Sequence, residues 1–230
     1  MTSLFNSPPI RGALGVIVLT LAVGCSALLP KATPHPSLYA LEGRSNDARI
    51  AERTRPPAPT LAPTLIVTAP RAAAGFDTKR IVYLRIPNKI EYFAHSEWVD
   101  TPASMLTPLI VAAVEYDRTF SAIVSTPSSA SGDISLDTEI IRLQQVFGAA
   151  PSHVFFSIRA TLVDSKTLRV ISWREFNTTA IASSDDPYGG VIAADYAVQA
   201  PLVELSAFCD EGAAEWQRFT AEATTQSTEH

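Results

Sequence analysis

Two cysteines and four histidines are the side chains here with the widest chemical repertoire. Cys25 closes an uncharged, mostly apolar run from Gly12 to Gly24, with Ala22-Val23-Gly24 immediately before it. A thiol in that setting can be alkylated, and a thioether-linked lipid would anchor the chain. Cys209 precedes Asp210 and Glu211. Their charges disfavour a thiolate, so Cys209 reads as a small buried hydrophobe on a helix. If Cys25 carries a lipid, Cys209 has no partner for a disulfide. His35 lies in a Pro-rich stretch and His230 ends the chain. His95 and His153 have no companion at the spacing of a zinc site, so no metal is expected. The chain has no G-x-S-x-G elbow, Ser-x-x-Lys pair, Walker loop or G-x-G-x-x-G turn. Asp185-Asp186 fits a solvated turn ahead of a helix better than an acid-base pair. No catalytic residue, metal ligand or cofactor is assigned, and binding rather than turnover is expected.

The first eleven residues hold a single charge, Arg11. The apolar run after them has the length of a signal-peptide core and is too short to cross a hydrocarbon layer comfortably. Ala22-Val23-Gly24-Cys25 resembles the lipobox read by lipoprotein signal peptidase, with Ala22 where Leu is usual. That resemblance implies cleavage before Cys25, lipidation of its thiol and no release from the membrane. The competing reading is an uncleaved signal anchor extending through Leu29. Ser26 follows the cysteine, and by the same resemblance it favours the periplasmic face of the outer membrane over the inner membrane.

The formal net charge is -5, and residues 1–24 hold one Arg and no acid. The remainder is therefore more acidic than the whole, which argues against a nucleic-acid partner and gives no polybasic patch for anionic lipids. Hydrophobic residues make up 47% of the chain, enough for one core. Seven of the 17 prolines fall between Pro30 and Pro63. The expected organisation is a signal peptide over 1–24 and a tether over 25–36. A domain over 37–219 follows, with a Pro-rich insert at about 43–63, then a disordered tail over 220–230.

Within the domain, Ser37 to Leu41 and Thr64 to Val67 read as short strands. Arg80 to Arg85 and Lys89 to Ala94 are spaced as a hairpin. Thr101-Pro102 starts a helix, with Met105, Leu106, Leu109, Ile110 and Ala113 on one face and Pro108 as a possible kink. Three long strands follow, around 136–147, 153–163 and 169–181; the first alternates poorly. In the second, Val154, Phe156, Ile158, Ala160 and Leu162 share a core-facing side. The opposite side carries Phe155 and Val163, with Ile171 and Trp173 from the next strand. Those residues are more apolar than a bare solvated face requires. Phe155, Ile171 and Trp173 are therefore the candidate partner-binding residues. Asp186-Pro-Tyr-Gly-Gly190 is expected to break the chain before a helix from about Val191 past Leu205. The fold class is α+β: an antiparallel sheet with long strands and two main helices packed on one face.

Tyr39-Ala-Leu41 follows the lipobox, then come Ile90-Glu-Tyr92, Trp98, Pro102 and Met105-Leu106. Leu136, Ile140 and Phe147 follow, then Arg174-x-Phe176, and Gly190-Val-Ile-Ala193 opens the last helix. In this order and spacing the chain resembles the ABC-type transport auxiliary lipoprotein family. The resemblance implies a non-enzymatic component of a lipid transport machine. It would act as a periplasmic adaptor for a mammalian-cell-entry (MCE) domain protein, anchored through its lipid. A homo-oligomer is compatible with this. A stand-alone lipid carrier with its own apolar cavity is the alternative. Trp98, Met105 and Leu106 read as core rather than as a lipid-binding stripe.

Overall fold

The computed structural model describes residues 35–43, 62–148 and 150–228, with side chains through Glu222. Cys25, the apolar run before it, most of the tether and most of the Pro-rich insert lie outside the described residues. The domain from Pro36 onward is one compact unit. Its strands are β1 (Ser37–Tyr39), β2 (Thr64–Val67), β3 (Arg71–Ala72), β4 (Arg80–Leu84), β5 (Glu91–Trp98), β6 (Ala122–Ser125), β7 (Ile134–Val146), β8 (His153–Asp164) and β9 (Val170–Ile181). Helix α1 (Pro102–Glu115) follows β5 and helix α2 (Pro187–Thr228) follows β9.

β7 is the spine. One edge pairs antiparallel with β8 over its whole length, and β8 pairs antiparallel with β9. The other edge receives β2, β3 and β4 end to end, all parallel to it. β6 then pairs parallel with β2, β5 antiparallel with β4, and β1 parallel with β5. The sheet is therefore mixed, not antiparallel throughout as the sequence suggested. The antiparallel pairs are those joined by short turns, which local sequence reveals. The parallel pairs join segments as remote as Leu65 and Ile134, and their apolar residues carry no directional signal.

The weak alternation of β7 has a local cause. Ile140 pairs with Ile158 and Arg142 with Ser157, so Ile141 is an extra residue and the strand changes phase there. Before the bulge Ile134, Leu136 and Ile140 face the core; after it Leu143 and Gln145 do.

α1 and α2 pack on each other and on the core side of the sheet. Thr101 caps α1 by accepting from the Ser104 amide, with Pro102 in the first turn. Leu106, Ile110 and Val114 lie fully buried, and Met105 and Trp98 are core as expected. Pro108 sits inside the helix without ending it. Its ring and Ser104, whose carbonyl loses an amide partner, both face solvent, where water can satisfy that carbonyl. The Ser206 hydroxyl of α2 donates to the Ala113 carbonyl and lies 2.9 Å from the Asp117 carboxylate. Beside them, burial pushes the Asp210 carboxyl up; a Thr119 hydrogen bond opposes this and the Asp117 charge reinforces it.

α2 is longer at both ends than the sequence suggested. Asp186-Pro-Tyr-Gly-Gly190 forms its first turn instead of a break. The Asp186 carboxylate accepts from the Gly189 amide at 2.8 Å, with Pro187 at the first helical position. At the other end the helix continues to Thr228 through the stretch expected to be a disordered tail. Twelve residues before that end, Trp216 donates its indole N–H to Asp164 at 2.7 Å.

Gly190 is where α2 meets the spine strand. A Cβ there would clash with the Gln145 side-chain oxygen, and Gln145 itself is held by Ser152 and the Asp186 carbonyl. Gln145 is buried and tied at its nitrogen, so it cannot swing away cheaply. Gly190→Ala is expected to cost about 1–3 kcal/mol by overpacking. Chemical denaturation should show the midpoint falling with the slope unchanged; a midpoint equal to wild type would mean the contact relaxes freely.

Candidate functional site

The sheet face turned away from the helices is built from alternate residues of β8 and their partners on β9. Phe155 faces Thr179, Ser157 faces Asn177, Arg159 faces Glu175, Thr161 faces Trp173 and Val163 faces Val170. Its centre is a charge ladder. The Arg159 guanidinium lies 3.1 Å from Glu175 and 3.5 Å from Glu139 on β7. Ser157 and Asn177 also donate to Glu175. The Arg159 hydrogen bond is the main cause holding the Glu175 carboxyl below its ordinary range. Such half-exposed pairs contribute little to stability individually, up to about 1 kcal/mol each. What they fix is the placement of two acids around one base on this face.

The expected apolar residues do not form one patch. Phe155 lies at one end of the ladder, with the Arg142 guanidinium 5.6 Å over its ring. Trp173 lies at the other end and is 65% exposed. The two are six β8 positions apart, roughly 20 Å. Ile171 is not on this face as alternation suggested. Leu162 pairs with Ser172 and Val163 with Val170, so Ile171 is the extra residue of a bulge, and it packs against the core.

The bulge brings Val170 to the face in its place, 51% exposed, beside Trp173. The turn between β8 and β9 adds Leu168, 78% exposed. Asp164 organises that turn, its carboxylate accepting from the Lys166 and Thr167 amides. Burial pushes the Asp164 carboxyl up, but these amides and the Trp216 indole outweigh it and hold it below its ordinary range. Neither Leu168 nor Val170 was legible as a surface group. Their exposure depends on the turn geometry and on a bulge that alternation cannot reveal.

The remaining chemical candidates are dispersed. His95 is exposed on β5 and His153 is half-buried at the start of β8. Among the described residues no three His, Cys, Asp or Glu side chains converge as metal ligands. Asp185 accepts from the Ser152 amide at 2.7 Å, which lowers its pKa and ties the β7–β8 connection to the start of α2. Cys209 is fully buried, and burial with the neighbouring Asp210 charge pushes its thiol well above the ordinary range.

The sequence matches the family described as ABC-type transport auxiliary lipoprotein component over residues 47–205. The chain belongs to this family. No curated relative matches it. Among solved structures, protein XCC0632 from Xanthomonas campestris is similar with a TM-score of 0.65 at 19% identity. That match covers 79% of this chain and 99% of the other. An uncharacterized protein is similar with a TM-score of 0.53 at 14% identity, covering 77% and 98% of the two chains. At these identities the likeness is one of fold: the helix-covered mixed sheet is shared beyond this sequence.

Two solution properties follow. The buried, proton-holding Cys209 thiol should resist labelling in the native protein and react only on unfolding. Rapid native labelling would mean that α2 opens locally. The lowered pKa of Glu175 should stabilise the fold above its ordinary value of 4.5 and lose that contribution as pH falls through the depressed folded value. Thermal scans of wild type and Glu175→Gln should therefore converge on acidification; a gap constant with pH would assign the effect to packing instead.

Proposed function

We propose that this chain is the membrane-anchored adaptor of an ABC transporter that moves lipid between membranes through an MCE-domain protein. In this reading it binds and positions the MCE subunit and catalyses nothing. It sits at the periplasmic face of the outer membrane through a lipid on Cys25. Membership of the transport auxiliary lipoprotein family over 47–205 carries the reading. The architecture supports an adaptor over a carrier, because the space between sheet and helices is taken by side chains. Phe156, Phe176, Phe208, Leu106, Ile110 and Leu205 are all fully buried there. Recognition then falls to the outer surface, where Trp173 is the largest exposed apolar group of the sheet. Burying a side chain of that size is worth roughly 1.5–3 kcal/mol, enough to anchor a specific contact.

The anchor is tested by metabolic labelling. Cys25→Ala protein should keep the size of the unprocessed precursor and lose incorporation of labelled fatty acid; normal processed size with the label retained would refute a lipid on Cys25. The adaptor role is tested by affinity purification of the full-length lipoprotein from detergent-solubilised membranes. An MCE-domain subunit and its ABC transporter should co-purify. Recovery of the lipoprotein with neither would overturn this reading.

A further inference from the structure

The turn between β8 and β9 carries a residue that local energetics disfavour twice. Leu168 has φ of 58°, the left-handed region that favours Gly or Asn, and its side chain is the most exposed large apolar group among the described residues. Its amide donates to the Asp164 carbonyl at 2.8 Å, a bond that any residue other than proline would make. Asn would serve the turn better, so folding gives no reason for a leucine here. Val170 and Trp173 continue the same exposed apolar tip, as their register with Val163 and Thr161 shows. Lys166 and Arg169 flank it. Lys166 is extended into solvent 3.9 Å from Asp133, and the Arg169 guanidinium rests 4.5 Å over the Phe219 ring.

The position of this tip limits what can occupy it. α2 begins beside Gln145, at the opposite end of the sheet from the β8–β9 turn. The N-terminal chain joins β1 toward that same far end. The register Ser37↔Ser96, Arg80↔Glu97 and Tyr83↔Gln145 places it there, and the Tyr39 ring lies 6.3 Å from Tyr188 in the first turn of α2. β8 is roughly 36 Å long, so an anchor upstream of Pro36 pulls on the end away from the tip.

We infer that Leu168, Val170 and Trp173 form a docking tip for a protein partner presenting an apolar pocket rimmed by carboxylates, which Lys166 and Arg169 would meet. This rests on the adaptor reading above and locates its contact. The decisive variant is Leu168→Asn, which suits the left-handed turn and removes only the apolar group.

In cells, a photocrosslinking phenylalanine analogue is placed in the full-length lipoprotein at Trp173, or at Phe155 as the control on the same face. The Trp173 position should give one discrete adduct, identified by mass spectrometry as a subunit of the ABC transporter. The Phe155 position should not give it. Adding Leu168→Asn should cut the Trp173 adduct about tenfold or more, while the thermal midpoint of the purified protein stays level or rises. An adduct identified as a periplasmic protein outside the transporter, equally sensitive to Leu168→Asn, would keep the docking tip and overturn the transport reading. Adducts to lipid or to a second copy of this chain, equal adducts from Phe155, or none would overturn the tip. So would loss of the adduct accompanied by a lowered thermal midpoint.

Discussion

The pairing of β7 on both edges is the constraint from which the rest of the domain follows. Thirteen residues of one strand hold β8 along one side and β2, β3 and β4 along the other. With both edges occupied, its backbone groups are paired and its core-facing residues Ile134, Leu136 and Ile140 are sealed from water. Each such side chain contributes on the order of 1.5–3 kcal/mol on burial. The bulge at Ile141 shifts the phase of the strand. It lets Leu143 face the core and puts Gln145 where it can meet the start of α2.

α2 is fastened to that spine at two places. Near its start, Gly190 lets the helix backbone approach Gln145, while Asp186 caps the first turn. Thirty residues into the helix, Trp216 reaches the carboxylate that also shapes the β8–β9 turn. Asp164 therefore links the packing of the helix to the shape of the exposed tip.

The outer face divides by chemistry. Its middle is a solvated ladder of Arg159 between Glu139 and Glu175, fixed in geometry but modest in energy. Its ends are apolar, with Phe155 beneath Arg142 at one and Trp173 with Val170 at the other. A face of this kind suits a bounded contact at one end better than broad burial of the whole sheet.

Much of this was set by sequence alone. Alternation of Val154, Phe156, Ile158, Ala160 and Leu162 identifies β8 and its buried side, because a strand's side chains must alternate. Thr101-Pro102 marks the start of α1, because an N-cap and a proline satisfy the same terminal amides that any helix leaves open. These are local rules, and local residues obey them. The tertiary structure alone decided the direction of β2, β3 and β4, since parallel partners are remote in sequence and leave no local trace. It decided that Pro187-Tyr-Gly-Gly190 is a helical turn, because packing against Gln145 outweighs the weak helix propensity of two glycines. It also decided which apolar residues of β9 are outside. One extra residue turned Ile171 to the core and Val170 to the surface, and a bulge is a property of two paired strands, which neither strand's sequence states by itself.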